Sequence, residues 1–290
     1  MSYTVFTDGC SNLPGNLIER FQIKVLPCSY VMDGEPGVYE GDIDAFDTHT
    51  YYEKLRNGSE LKTSLLNVSV FLDHFRPELE AGNDVIYVGL SSGVSGTVQS
   101  ATIASRQLEG EFPGRTIRVV DSLGAALGPG LLSCRAAELK EAGKTASEAA
   151  DMLEKEVGQL LQFFTVADLN FLKRTGRVSG ATAAIGTVLN IKPLLWGDPT
   201  GHIVAYSKCR GRQKAIDAIV EQYRTKAVDA QNQRIGITHG DCPEEAEYLA
   251  KRICEICQPK ELIIVPHEPF TGAHVGPGML ALYFFGEKRE

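Results

Sequence analysis

The chain has 290 residues, 43% of them hydrophobic and 23% charged, and carries a net charge of -8 at pH 7. That much apolar sequence fills one large core or two ordinary ones, which excludes a disordered or fibrous chain. The acidic balance, with no lysine/arginine cluster against it, argues against a nucleic-acid groove, and apolar runs as short as Met279 to Phe285 do not span a membrane.

In chain order, Tyr3 to Thr7 reads as a strand without the basic start and apolar core of a signal peptide, so the cytoplasm is the expected compartment. Ser11-Asn12 with Pro14 opens a helix. Lys24 to Met32 is a second strand, Asp42 to Leu55 a helix, and another helix starts at Asn67. Val85 to Val88, bounded by Asn83-Asp84 and Gly89, is a buried strand. It empties into a loop rich in serine and glycine, followed by a helix from Val98 to Leu108. Thr116 to Val120 is a strand, and helices follow over 122–142 and 146–162, parted by Gly143. Further strands are expected at Phe163–Val166, Ile203–Tyr206, Arg234–Thr238, Leu262–Val265 and Met279–Phe285. The helices between them are Asp168–Thr175, Gly180–Leu189, Arg210–Arg224 and Pro243–Cys257.

Such alternation argues an α/β fold, and the length argues two α/β domains, 1–147 and 148–290. The first is expected to hold a mainly parallel sheet flanked by helices, the second a mixed sheet with helices. A cleft between two such domains is a preferred ligand site.

Neither a Gly-x-x-x-x-Gly-Lys-Ser/Thr loop nor a Gly-x-Gly-x-x-Gly fingerprint is present, which argues against nucleotide binding by those loops. The seven cysteines are odd in number and widely spread, so reduced thiols are expected. Cys254-Glu-Ile-Cys257 has metal-like spacing, but it has no companion pair and is read as structural. No metal site is assigned. Gly89-Leu-Ser91-Ser-Gly93 matches the nucleophile elbow in its strand–turn–helix setting. A serine acyl hydrolase using Ser91 would draw on Asp121 or Asp241 and on His239, His267 or His274. A second reading takes the serine loop, Thr63-Ser64 and His274, which lies in a glycine-rich loop, as hydroxyls and an imidazole suited to a single carboxylate. A scaffold without ligand is the third.

Several motifs in order along the chain resemble those of the DegV family, the fatty-acid-binding proteins that serve as the binding subunit of bacterial fatty acid kinase. They are Thr7-Asp8 with Ser11, Lys62-Thr63-Ser64, Leu90-Ser-Ser-Gly-Val-Ser95-Gly-Thr97-Val-Gln-Ser-Ala and Asp121-Ser122. Leu172-Lys-Arg-Thr-Gly176-Arg177-Val-Ser179, Ile191-Lys-Pro193 and Ala273-His274-Val-Gly-Pro-Gly278 complete the series. The chain departs from the family pattern at Gly9-Cys10, at Leu65-Leu66 and at Thr175.

The resemblance implies a non-catalytic protein that buries one long acyl chain between its domains and needs no cofactor besides that ligand. It places the carboxylate on Thr63, Ser95 and His274, with Ser95 a donor and not a nucleophile. It implies that a separate kinase subunit phosphorylates the carboxylate to an acyl phosphate for phospholipid synthesis, with at most transient membrane contact. Arg177 and Arg210 fall at the head group or the kinase-facing surface; solvated surface charge is the alternative for both. A bound carboxylate is also expected to favour the charged form of His274.

Overall fold

The structure, a computed structural model, describes residues 2–178 and 190–289. It divides into two compact units, Met1–Phe46 with Lys62–Val157, and Asp47–Leu61 with Gly158–Glu290.

The first unit is built on a parallel sheet in the order β2-β1-β6-β7. Its strands are β1 (Tyr3–Asp8), β2 (Lys24–Leu26), β6 (Asp84–Gly89) and β7 (Ile117–Asp121). Every residue of β6 is buried, as expected of a central strand in a covered parallel sheet. Helices α1 (Gly15–Phe21), α3 (Val68–Glu80), α4 (Thr97–Glu111), α5 (Leu127–Glu141) and α6 (Ala146–Val157) accompany it. Asn67 caps α3 by accepting from Val70 N. Aromatic rings tie α3 to the sheet: Phe75 lies 5.0 Å from Phe6, and Phe71 5.0 Å from Tyr87. In this order the connection after β1 runs to β2 and the one after β6 runs to β7, in opposite directions across the sheet. The carboxyl ends of β1 and β6 therefore form a topological switch point, where open α/β sheets bind ligands.

The expected strand over Lys24–Met32 is two strands in two sheets. Pro27 separates β2 from β3 (Cys28–Met32), which joins β4 (Glu35–Tyr39) and β5 (Leu61–Thr63) in a small second sheet. Asp33 (φ 52) and Gly34 (φ 90) make the two-residue hairpin turn between β3 and β4. Ahead of α1, residues 9–11 form a 3-10 turn that Asp8 caps, so the helix opens after Pro14 and not at Ser11.

The second unit carries a mixed sheet in the order β10-β9-β8-β13-β11-β12, in which β11 and β12 alone pair in parallel. Its strands are β8 (Leu160–Thr165), β9 (Ile191–Gly197), β10 (Ile203–Arg210), β11 (Arg234–His239), β12 (Glu261–Pro266) and β13 (Leu280–Phe285). Helices α8 (Arg212–Lys226) and α9 (Pro243–Ile256) bury Ile216, Ile219, Leu249 and Ile253 in one cluster with Ile235, Ile237, Leu282 and Phe284 of the sheet. Two shorter helices, α7 (Asn170–Thr175) and α10 (Pro269–Val275), complete it with α2 (Thr48–Arg56). The helix expected over Gly180–Leu189, and Ser179 before it, lie outside the described residues.

The α/β class holds for both units, with a parallel sheet in the first and a mixed one in the second. Two details of the division were not visible in composition. The boundary expected at 147/148 falls within α6, and Asp47–Leu61 groups with the C-terminal part. The cause of the second is long-range: Tyr51 Oη donates to the Pro269 carbonyl at 2.6 Å and Tyr52 Oη to the His267 carbonyl at 3.0 Å.

Candidate functional site

In the first unit the serine loop leaves β6 at Gly89 and turns into α4. Ser91 is 1% exposed, and its Oγ accepts from Gly93 N at 3.1 Å while its own N–H donates to the Gly124 carbonyl. Asp121 accepts from the backbone N–H groups of Ser92 and Leu123, and Ser122 Oγ donates to the Gly89 carbonyl at 2.7 Å. These contacts hold the turn in shape.

The partners an esterase would recruit are engaged in other ways. Asp241 pairs with His49 and Arg56, His239 Nδ1 accepts from Cys242 N, and His267 is bonded at both ring nitrogens. The hydrolase reading is therefore not favoured. Incubation with a fluorophosphonate probe is expected to leave Ser91 unmodified, and mass-spectrometric detection of a Ser91 adduct would reinstate the nucleophile.

Ser95 lies half-buried one residue before Gly96, the N-cap of α4. Its Oγ sits 3.0 Å from Thr97 Oγ1 and accepts from Thr97 N at 3.3 Å. The fifteen-residue α4 directs its positive dipole end at this point, which favours an anion. Thr63, also half-buried, ends β5. The segment after it lies on the same turn: Leu66 is buried and its N–H donates to Thr97 Oγ1 at 3.4 Å. Leu65 is 49% exposed and covers Gly96, where an added β-carbon would meet Leu65 Cδ2 at 3.2 Å. Leu65-Leu66 thus supplies an anchor and a cover for the Ser95 turn.

In the second unit, His274 lies not in a loop but in the last turn of α10. Glu268 and Pro269 open this helix as N-cap and first residue, a local signal the sequence reading passed over. The Glu268 carboxylate accepts from Phe270 N, Thr271 N and the Thr271 hydroxyl. Because that hydroxyl donates to Glu268, its oxygen accepts from His267 Nε2 at 2.8 Å. His267 Nδ1 is then the acceptor for Thr238 Oγ1 at 2.9 Å, so the network assigns a neutral Nε2–H tautomer. Burial, with a contribution from His239, pushes the His267 pKa down to about 3.

At the far end of α10, Gly276 (φ 76) lies against the Phe171 ring of α7, so closely that an added β-carbon would meet it at 2.5 Å. Gly176 (φ 69) ends α7, and Arg177 follows with its N–H bonded to the Leu172 carbonyl. Arg177 is half-buried, and its charge acts on His274. Burial first, and then the Arg177 guanidinium, push the His274 pKa down to about 4. In this structure His274 is neutral at pH 7 and the cation is Arg177. Arg210, at the end of β10, is exposed and forms no ion pair among the described residues.

Residues 2–287 match the family model described as "Uncharacterised protein, DegV family". The chain belongs to the DegV family. A DegV domain-containing protein of Clostridium perfringens is 35% identical over 289 residues, covering 99% of both chains. A DegV protein of Thermus thermophilus, whose structure is described by its fatty acid binding, is 31% identical with a TM-score of 0.88, over 99% of this chain and 100% of that one. DegV of Bacillus subtilis, described as a fatty acid binding protein, is 29% identical with a TM-score of 0.84 over the same shares. The resemblance read from the motifs and the fold expected from it are both upheld.

Proposed function

We propose that this DegV protein binds one long-chain fatty acid and that Thr63, Ser95 and His274 hold its carboxylate. The reading rests chiefly on full-length similarity to DegV proteins described as fatty-acid-binding. The local chemistry agrees with it. Ser95 and the amino end of α4 offer donors and a positive potential, and His274 offers an imidazole beside the Arg177 charge.

Burying an acyl chain of roughly sixteen carbons contributes on the order of 12 kcal/mol gross, before ordering costs. Each hydrogen bond to the charged head adds about 1.5–3 kcal/mol. The tail therefore dominates affinity, and the polar groups select which end is held. Denaturing extraction followed by lipid mass spectrometry is expected to yield one fatty acid per chain, and repeated absence of lipid would refute the reading. His274→Ala is expected to weaken fatty acid binding by about ten- to a hundredfold. An unchanged dissociation constant would remove His274 from the site.

The finer role is to present the carboxylate to a fatty acid kinase subunit, which would convert it to an acyl phosphate for phospholipid synthesis. The protein itself would then be an accessory and not an enzyme. Arg177, and less directly Arg210, would face the head group or that partner. Formation of acyl phosphate from ATP by such a subunit, dependent on this protein and reduced by Arg177→Ala, tests that role. Kinase turnover that is indifferent to the protein would dismiss it.

A further inference from the structure

In the first unit, beside the switch point, the carboxyl ends of β1 and β2 bring together three groups that the fatty acid site does not use. Asp8 closes β1, Cys10 lies in the 3-10 turn after it, and Cys28 opens β3 just past β2. All three are buried. The Cys10 and Cys28 sulfurs are 3.9 Å apart, and the two sulfurs and an Asp8 oxygen all lie within 4.8 Å of one another.

These separations match a thiol–thiol contact and equally the spacing of two sulfurs on one metal ion. Two thiolates about 2.3 Å from a tetrahedral zinc ion stand about 3.8 Å apart, and a carboxylate oxygen sits about 3.6 Å from each. The sulfurs are already at that spacing. The oxygen needs to close by about 1.2 Å at most.

Asp8 is also prepared as a ligand. A carboxylate has about four lone-pair sites. Cys10 N donates to Oδ1 at 2.9 Å, and Tyr87 Oη (2.5 Å) and Leu90 N (3.5 Å) donate to Oδ2. The Cys10 thiol donates to the same carboxylate, so the site it fills opens to a cation once that thiol gives up its proton. Outer hydrogen bonds of this kind are how proteins orient a ligating carboxylate. Asp8 is 1% exposed and forms no ion pair among the described residues, so a cation would offset a charge that is otherwise costly at that depth.

We propose that Asp8, Cys10 and Cys28 form a ligand set for one thiophilic divalent cation of the zinc class. On binding, the two S–H bonds break, two metal–sulfur bonds form, and both protons pass to solvent; nothing is oxidised or reduced. The fourth position is taken by water. The cation would stitch the turn after β1 to the first residue of β3, next to the serine loop through Tyr87 and Leu90.

The test uses the full chain with Cys254→Ala and Cys257→Ala, which removes the half-buried Cys-x-x-Cys as a competing binder. Protein from zinc-supplemented culture, purified under a non-chelating reductant, is expected to carry one equivalent of zinc by elemental analysis. Cadmium titration is expected to develop a thiolate charge-transfer band that saturates at one equivalent with release of two protons. Adding Cys28→Ser should abolish both signals, and Tyr87→Phe should weaken affinity roughly 10- to 100-fold. The cadmium band on the parent protein does not depend on whether the Cys28 variant folds. Folded parent protein without zinc or band, or an unchanged band with Cys28→Ser, overturns the proposal. So does an intact mass two hydrogens low, with Cys10 and Cys28 recovered as a disulfide-linked peptide.

Discussion

Glu268→Ala is expected to destabilise the protein by about 3–5 kcal/mol, the largest effect of any single substitution discussed for the second unit. Glu268 is 0% exposed and caps α10 through two backbone N–H groups and the Thr271 hydroxyl. Loss of an N-cap costs about 1 kcal/mol and at most about 2 kcal/mol. Each buried donor left without an acceptor adds about 1–3 kcal/mol, and these terms overlap because they share one helix turn. The His267 tautomer is set through Thr271, so the damage spreads to β11 through Thr238. Glu268→Gln keeps one acceptor oxygen and should recover part of the loss. Urea unfolding of the three proteins measures the difference. A cost below about 1 kcal/mol for the alanine variant would show that α10 does not depend on this cap.

Stability is expected to fall as the pH drops from about 6.5 towards 4.5, before ordinary carboxylates titrate. The pKa values of His267 and His274 are pushed down to about 3 and about 4, from about 6.5 in an unfolded chain. Between those limits the unfolded state binds more protons than the folded one, so acid favours unfolding. The contribution is complete above about pH 6.5 and shrinks by about 1.4 kcal/mol per pH unit for each group. The two together amount to at most about 5 kcal/mol by pH 4.5. Burial lowers the His239 pKa in the same sense. His49 runs the other way because Asp241 raises its pKa, but it is exposed and solvent screens the pair. Unfolding midpoints in urea across this range should show the slope, and His267→Gln should remove about half of it. A flat profile would mean that these imidazoles are not buried in neutral form.

Local signals were legible where a residue's role depends on its neighbours in sequence. Asn67 was readable as the start of α3, and Val85 to Val88 as a buried strand. The Asp33-Gly34 hairpin and the Glu268-Pro269 helix start were equally local and were passed over. In the second case the glycines of Thr271-Gly-Ala-His274-Val-Gly read as a loop, although only Gly276 has the left-handed backbone that ends a helix. Lys24 to Met32 looked like one strand, but Pro27 lacks the N–H that a continuing ladder needs.

The sequence by itself determined the α/β class, the alternation of elements and the family, because periodicity, caps and motifs are carried by residues close together in the chain. It also marked Thr63, Ser95, Arg177 and His274 by their motifs. Tertiary structure alone decided their chemical states. Ser91 became a buried turn residue, His274 a neutral imidazole beside Arg177, and residues 47–61 part of the second unit. The apposition of Cys10 and Cys28 also belongs to that level. Burial and charge proximity arise from segments tens to hundreds of positions apart, and no local pattern encodes which of them meet.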